Sequence, residues 1–133
     1  MNLERIDHIG LNVRDLVTSA EFYGKVLGFG IVHKWNTTWM VGTDAMRLGL
    51  FQRPSAGPVC NIDRKIAISH VAFRTDATGF AAAQTELRKL GVSFEPPEDT
   101  GIAYSVFFLD PDGHQIEITT YDRGAVMTAS SGD

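Results

Sequence analysis

From Ile6 to Val13, "IDHIGLNV", apolar and polar positions alternate with the two-residue period of a half-buried strand. Ile9, Leu11 and Val13 fall on one side, and Ile6, His8, Gly10 and Asn12 on the other. The period then lengthens. In "RDLVTSAEFYGKVLGF", Leu16, Ala20, Tyr23 and Leu27 recur at helical spacing, with Asp15 where an N-cap belongs and Gly28 where a helix stops. Three extended segments follow, "GIVHKW", "TTWMVG" and "MRLGLF".

The second half repeats this order. "ISHVAFR" reads as a strand and "TDATGFAAAQTELRKLGV" as a helix, with Phe80, Ala83, Leu87 and Leu90 on one face, Asp76 as N-cap and Gly91 as stop. "VSFEPP", "AYSVFFLD" and "HQIEITTY" are again extended. The pattern predicts an α+β fold of two βαβββ modules. The first covers residues 1–55 and the second 66–123, joined by a Pro/Gly-rich linker over 56–65. The small, polar run from 124 to 133 reads as a mobile tail.

Overlaying the halves superposes His8 on His70, Leu48 on Ile116, and Gly49 on Glu117. Four equivalent positions would then surround one centre, three of them able to bind a metal and the fourth, Gly49, without a side chain. Strand alternation turns His8, His70 and Glu117 away from the helix-facing apolar side. A carboxylate facing a hollow is costly unless its charge is compensated, and a divalent cation would compensate it. Two imidazoles and one carboxylate suit Fe with open positions, and also Zn, Mn, Ni or Co. Two alternatives stay open: a metal-free hydrogen-bonded trio, and Glu117 paired with Arg47 or Arg74. His33 and His114 have no place in this set.

Composition narrows the setting. The 133 residues suffice for one compact domain or two small halves, and their formal net charge of −4 comes without a basic cluster, against nucleic-acid binding. A single cysteine, Cys60, offers no internal disulfide, and no segment has the length and apolarity of a membrane span. A cytoplasmic, soluble protein is expected, with a small molecule as its substrate.

The stretches "DHIGLNVRDLVTSAEFYGKVLGF", "ISHVAFRTD" and "FFLDPDGHQIEI" resemble the vicinal oxygen chelate superfamily, which includes glyoxalase I, ring-cleaving dioxygenases, fosfomycin thiol transferases and bleomycin-resistance proteins. The resemblance spans Ile6 to Tyr121. It implies paired βαβββ modules forming a cup-shaped mixed sheet with helices on the outer face, His8, His70 and Glu117 as ligands of a divalent metal, and a homodimer. Asp110-Pro111-Asp112-Gly113 matches a structural hairpin of the family. Gly49 stands where glyoxalase I and the methylmalonyl-CoA epimerase look to carry a fourth ligand. Phe107 stands where the dioxygenases and fosfomycin transferases resemble one another in a Tyr, and Pro97 to Tyr104 contains no His. By the same resemblance to fosfomycin transferases, Gly10 replaces a Thr and Pro97 a Lys.

Aromatic rings suited to a substrate pocket are Trp39, Phe51, Tyr104 and Phe107. Tyr121 shares the Glu117 side of its strand as a candidate proton donor, and Arg47 shares the Gly49 side as a candidate clamp for an anionic group. The sequence therefore supports a metal-dependent enzyme of dioxygenase-like or glyoxalase/lyase-like chemistry. A metal-free sequestering protein of the bleomycin-resistance type, or a fosfomycin-type thiol transferase, is the alternative.

Overall fold

The computed structural model describes the backbone of residues 1–131 and the side chains of residues 1–127. The chain divides into two compact units, Met1–Pro58 and Val59–Asp133. In the first, β1 (Ile9–Val13), α1 (Leu16–Leu27), β2 (Gly30–Lys34), β3 (Thr38–Gly42) and β4 (Arg47–Gln52) form a four-stranded sheet in the order β1-β4-β3-β2. In the second, β5 (His70–Arg74), α2 (Ala77–Lys89), β6 (Glu98–Asp99), β7 (Tyr104–Leu109) and β8 (Gln115–Thr120) build the sheet β5-β8-β7-β6. Each is a βαβββ unit with a mixed sheet: β1 runs parallel to β4 and β5 to β8, while the remaining pairs are antiparallel.

The register reproduces the repeat. Ile9 pairs with Leu48 and Gly10 with Gly49 in the first unit, as Val71 pairs with Ile116 and Ala72 with Glu117 in the second. The helices begin and end at the residues that sequence chemistry selects. Asp15 accepts from the Thr18 amide and Asp76 from the Gly79 amide, each at 2.8 Å, satisfying first-turn donors that the helix cannot. Gly28 and Gly91 both adopt φ 72°, the left-handed turn that closes a helix at least cost in glycine.

One face of each sheet is apolar and packs on its own helix. Leu11, Val13, Val41, Leu48 and Leu50 meet α1 through Leu16 and Tyr23, all buried. In the second unit Val71, Val106, Phe108, Ile116 and Ile118 are buried with Phe80 and Leu87 of α2. The hairpin between β7 and β8 is set by Asp110, whose Oδ1 accepts from the Asp112 and His114 amides at 2.9 Å each. This turn fixes the register that carries Glu117.

The structure departs from the sequence reading in three places. β1 starts at Ile9, so His8 immediately precedes the strand instead of lying within it. "VSFEPP" forms no strand; β6 is only Glu98–Asp99, because Pro96 and Pro97 lack the amide a ladder needs. Arg123–Ser131 forms a helix, α3, where a tail was expected. Arg123 ties it to β6, its Nε donating to Asp99 Oδ1 at 3.0 Å and its NH2 group pairing with Asp99 Oδ2. Gly132 and Asp133 of the expected tail lie outside the described residues. Among the described residues no helix is long and apolar enough to cross a membrane.

Candidate functional site

In the second unit, alternation along β5 and β8 puts His70, Ala72 and Arg74 on the same sheet face as Gln115, Glu117 and Thr119. His70 Nε2 lies 3.0 Å from Glu117 Oε1, and the glutamate side chain is only 13% exposed. Its other oxygen, Oε2, accepts a 2.8 Å hydrogen bond from the Ser105 hydroxyl. Ser105 is itself buried and sits 2.9 Å from Thr119 Oγ1. Its one proton serves the carboxylate, leaving its lone pairs toward Thr119. Phe107 pairs with Glu117 across the hairpin and meets the His70 ring edge-on, centroids 5.8 Å apart.

The other ring nitrogen of His70 is also held. Nδ1 lies 2.7 Å from Ser69 Oγ, which can give or accept the proton and so follow either tautomer. The first unit repeats the device: His8 Nδ1 lies 2.8 Å from Asp7 Oδ2. The hydrogen bond from His8 holds the Asp7 carboxyl below the usual carboxylate range. Both histidines are thus tethered through Nδ1 by the residue before them, and both present Nε2. This is how protein metal sites orient imidazole ligands.

Gly49 lies beside His8, as Glu117 lies beside His70. A Cβ built on Gly49 would stand 3.4 Å from His8 Cδ2 and 3.1 Å from the Phe51 ring, which also comes within 3.1 Å of a Cβ built on Gly10. Phe51 therefore covers both glycines.

The remaining candidates separate by face. Arg47 shares the Gly49 face, its Nε donating to the Thr43 carbonyl at 3.3 Å. Tyr121 follows β8, half exposed, with the Arg74 guanidinium 4.4 Å from its ring centroid. Trp39 pairs with Leu50 and so lies on the α1 side of the first sheet, not with Gly49; Lys34 covers its ring. Tyr104 pairs with Thr120, on the face opposite Glu117, and Arg123 lies over it. Glu117 pairs with His70 and Ser105, not with Arg74.

Sequence reasoning missed Asp7, Ser69 and Ser105. The first two were readable, since overlaying the histidines also overlays the polar residues before them. Ser105 was not, because the β7 face that meets Glu117 depends on the hairpin register.

The donor set suits a divalent cation. A 3.0 Å separation is that of a hydrogen bond, and equally that of two donors each ~2.1 Å from one ion at a right angle. Nitrogen and carboxylate oxygen are the borderline donors that Fe, Mn, Zn, Ni and Co accept. Two such donors meet in the second unit, and among the described residues no group of three or more His, Cys, Asp or Glu is placed to hold a metal.

A family model, Glyoxalase/Bleomycin resistance protein/Dioxygenase superfamily, matches residues 5–118. The chain belongs to that superfamily. Among superfamily relatives, it is 30% identical to the metallothiol transferase FosB of Staphylococcus epidermidis, over 90% of this chain and 84% of that protein. It is 26% identical to biphenyl-2,3-diol 1,2-dioxygenase 3 of Rhodococcus globerulus, over 86% of this chain but 62% of that longer protein. The crystal structure of a virulence protein from Salmonella typhimurium superposes with a TM-score of 0.70 at 32% identity, covering 91% of this chain and 99% of that one. The glyoxalase fold is therefore common to proteins whose names carry different reactions.

Proposed function

We propose that the protein is a metal-dependent enzyme that binds a small oxygen-bearing substrate at a divalent ion held by His70 and Glu117, with His8 as third ligand. The observation that carries this reading is the paired tether: Ser69 on His70 Nδ1 and Asp7 on His8 Nδ1 leave Nε2 as the ligating atom of each ring, that of His70 already beside Glu117 Oε1. The repeat makes His8 the counterpart of His70, supplied by the same chain or by a second copy. A bound divalent ion supplies Lewis acidity, polarising a substrate oxygen.

The protein's own residues do the rest. Ser105 fixes the rotation of the Glu117 carboxylate so that one oxygen stays turned to His70. Phe107, edge-on to His70, keeps water from that side and, having no hydroxyl, moves no proton. Tyr121 is the proton donor in this reading. The reaction classes it allows are oxygenation of a phenolic or enediol substrate, isomerisation beside a carbonyl, and nucleophilic transfer.

The proposed assembly is a homodimer. Ile6 and Ile68, repeat equivalents two residues before each histidine, are 75% and 81% exposed, and a second copy would cover them. Sedimentation as a monomer at micromolar concentration would overturn it. The single exposed Cys60 fits a reducing, cytoplasmic setting.

Metal analysis of protein purified without chelator, comparing wild type with Glu117→Ala and His70→Ala, tests the main reading. Retention in wild type and loss in both variants is expected; negligible metal in all three overturns it. A second reading rests on the same 3.0 Å contact, which satisfies Glu117 with no ion present. In that case the protein binds a ligand without metal, and ligand affinity survives chelation and the His8→Ala, His70→Ala double substitution.

A further inference from the structure

The face that carries His70 and Glu117 also carries one cation with nothing to neutralise it. Arg74 is exposed, two positions beyond Ala72 on β5 and directly opposite Thr119, which is itself two positions beyond Glu117. Its guanidinium lies 4.4 Å from the Tyr121 ring centroid. Among the described residues neither that guanidinium nor the Tyr121 hydroxyl has a hydrogen-bond partner, and no carboxylate reaches Arg74.

A solvated arginine would ordinarily account for this. Two features set it apart. The contact with the Tyr121 ring places the guanidinium while its N–H donors stay free, and a free guanidinium can grip a carboxylate with two parallel hydrogen bonds. The fold does not require a cation there either, since the repeat-equivalent position in the first unit is Asn12. Between His70 and Arg74 lies only Ala72, so the surface opposite Glu117 is low.

Resting on the metal-site reading above, we propose that Arg74, positioned by Tyr121, is the binding site for an anionic group of the substrate. The substrate class is then an oxygen-donor compound bearing a remote carboxylate or similar anion. Two strand residues separate Glu117 from the level of Arg74, roughly 7 Å along the backbone, which leaves room for a small molecule to reach both. Arg74 is a specificity residue here, and Tyr121 presents it.

The test uses protocatechuate, a catechol with a carboxylate para to one hydroxyl, and its uncharged methyl ester. Both are titrated calorimetrically into full-length protein, loaded with redox-inactive zinc or treated with chelator. The acid is expected to bind wild type at least about tenfold more tightly than the ester, the scale of one charge-assisted contact. Arg74→Gln is expected to abolish that preference with zinc content unchanged. Tyr121→Phe, which keeps the ring, preserves the preference, and Tyr121→Leu weakens it. Equal affinity for acid and ester in wild type, a preference that survives Arg74→Gln, or no binding of either compound would overturn the proposal. If zinc fails to bind but an Arg74-dependent preference for the acid persists in chelator-treated protein, the anion site stands and the metal reading falls.

Discussion

Ser69 Oγ sits 2.7 Å from Nδ1 of His70, and the residue one repeat earlier, Asp7, makes the matching contact with His8 at 2.8 Å. The two tethers differ in charge. A carboxylate accepts only, so Asp7 holds His8 with the proton on Nδ1 whenever the ring is neutral, and Nε2 is then a lone-pair donor. A hydroxyl serves either tautomer, so Ser69 positions His70 without dictating where its proton lies. His70 can therefore donate to Glu117 in the absence of an ion and turn its lone pair outward in the presence of one.

This difference predicts unequal effects on metal affinity. Removing an outer partner of a ligating histidine ordinarily weakens binding about 10- to 100-fold. Asp7→Ala is expected near the upper end, since the tautomer is lost with the contact, and Ser69→Ala near the lower end. Competition titration against a chromogenic chelator reads both. Loss in neither variant would mean that the tethers are incidental contacts between neighbours.

Ser105 gives a prediction about stability. It is buried, and Glu117 Oε2 accepts from it on a side chain that is 13% exposed. Ser105→Ala leaves a nearly buried carboxylate oxygen without a donor, which costs about 1–3 kcal/mol. Denaturant unfolding of the metal-free protein should show that loss. The Glu117→Gln, Ser105→Ala pair should show less than the sum of the single losses, because the two groups form one network.

The repeat makes much of this legible in the sequence. Two aspartate N-caps and two glycine stops follow from local chemistry that recurs in both halves, and the strand ladders pair Gly10 with Gly49 and Ala72 with Glu117, matching the overlay of Gly49 on Glu117. Trp39 and Tyr104 show what such reading leaves open. Alternation tells which residues of one strand share a face, but not which face of a neighbour they join. That is decided by hairpin register, which pairs Trp39 with Leu50 and Tyr104 with Thr120. α3 was hidden for a different reason: its sequence is small and polar, and its anchor, Asp99, lies on β6.

Phe51 governs whether the first unit could take a larger side chain at position 49. Its ring lies 3.1 Å from a Cβ built on Gly49, tighter than ordinary packing. Gly49→Ala should therefore fold at a cost of about 1–3 kcal/mol, the range for an overpacked site, and Phe51→Leu should relieve part of it. By the same geometry Gly49→Glu alone should leave metal affinity unimproved, whereas Gly49→Glu with Phe51→Ala should raise it. Thermal unfolding and metal competition read the two halves of this prediction.

Acid should release α3 before it unfolds the sheets. Arg123 holds the Asp99 carboxyl below its ordinary value of 3.8, with a further contribution from the Gly101 amide. A depressed folded pKa means that the unfolded chain binds protons more readily than the folded one, so the linkage is complete above the unfolded value. It is lost as pH falls through the lower, folded value. The thermal midpoint of wild type should exceed that of Asp99→Asn near neutral pH, and the gap should close on acidification below about pH 4. Salt should narrow it as well, because both partners are exposed. A gap that stayed constant down to about pH 2 would show that the substitution acts by disturbing the β6 turn instead of the ion pair.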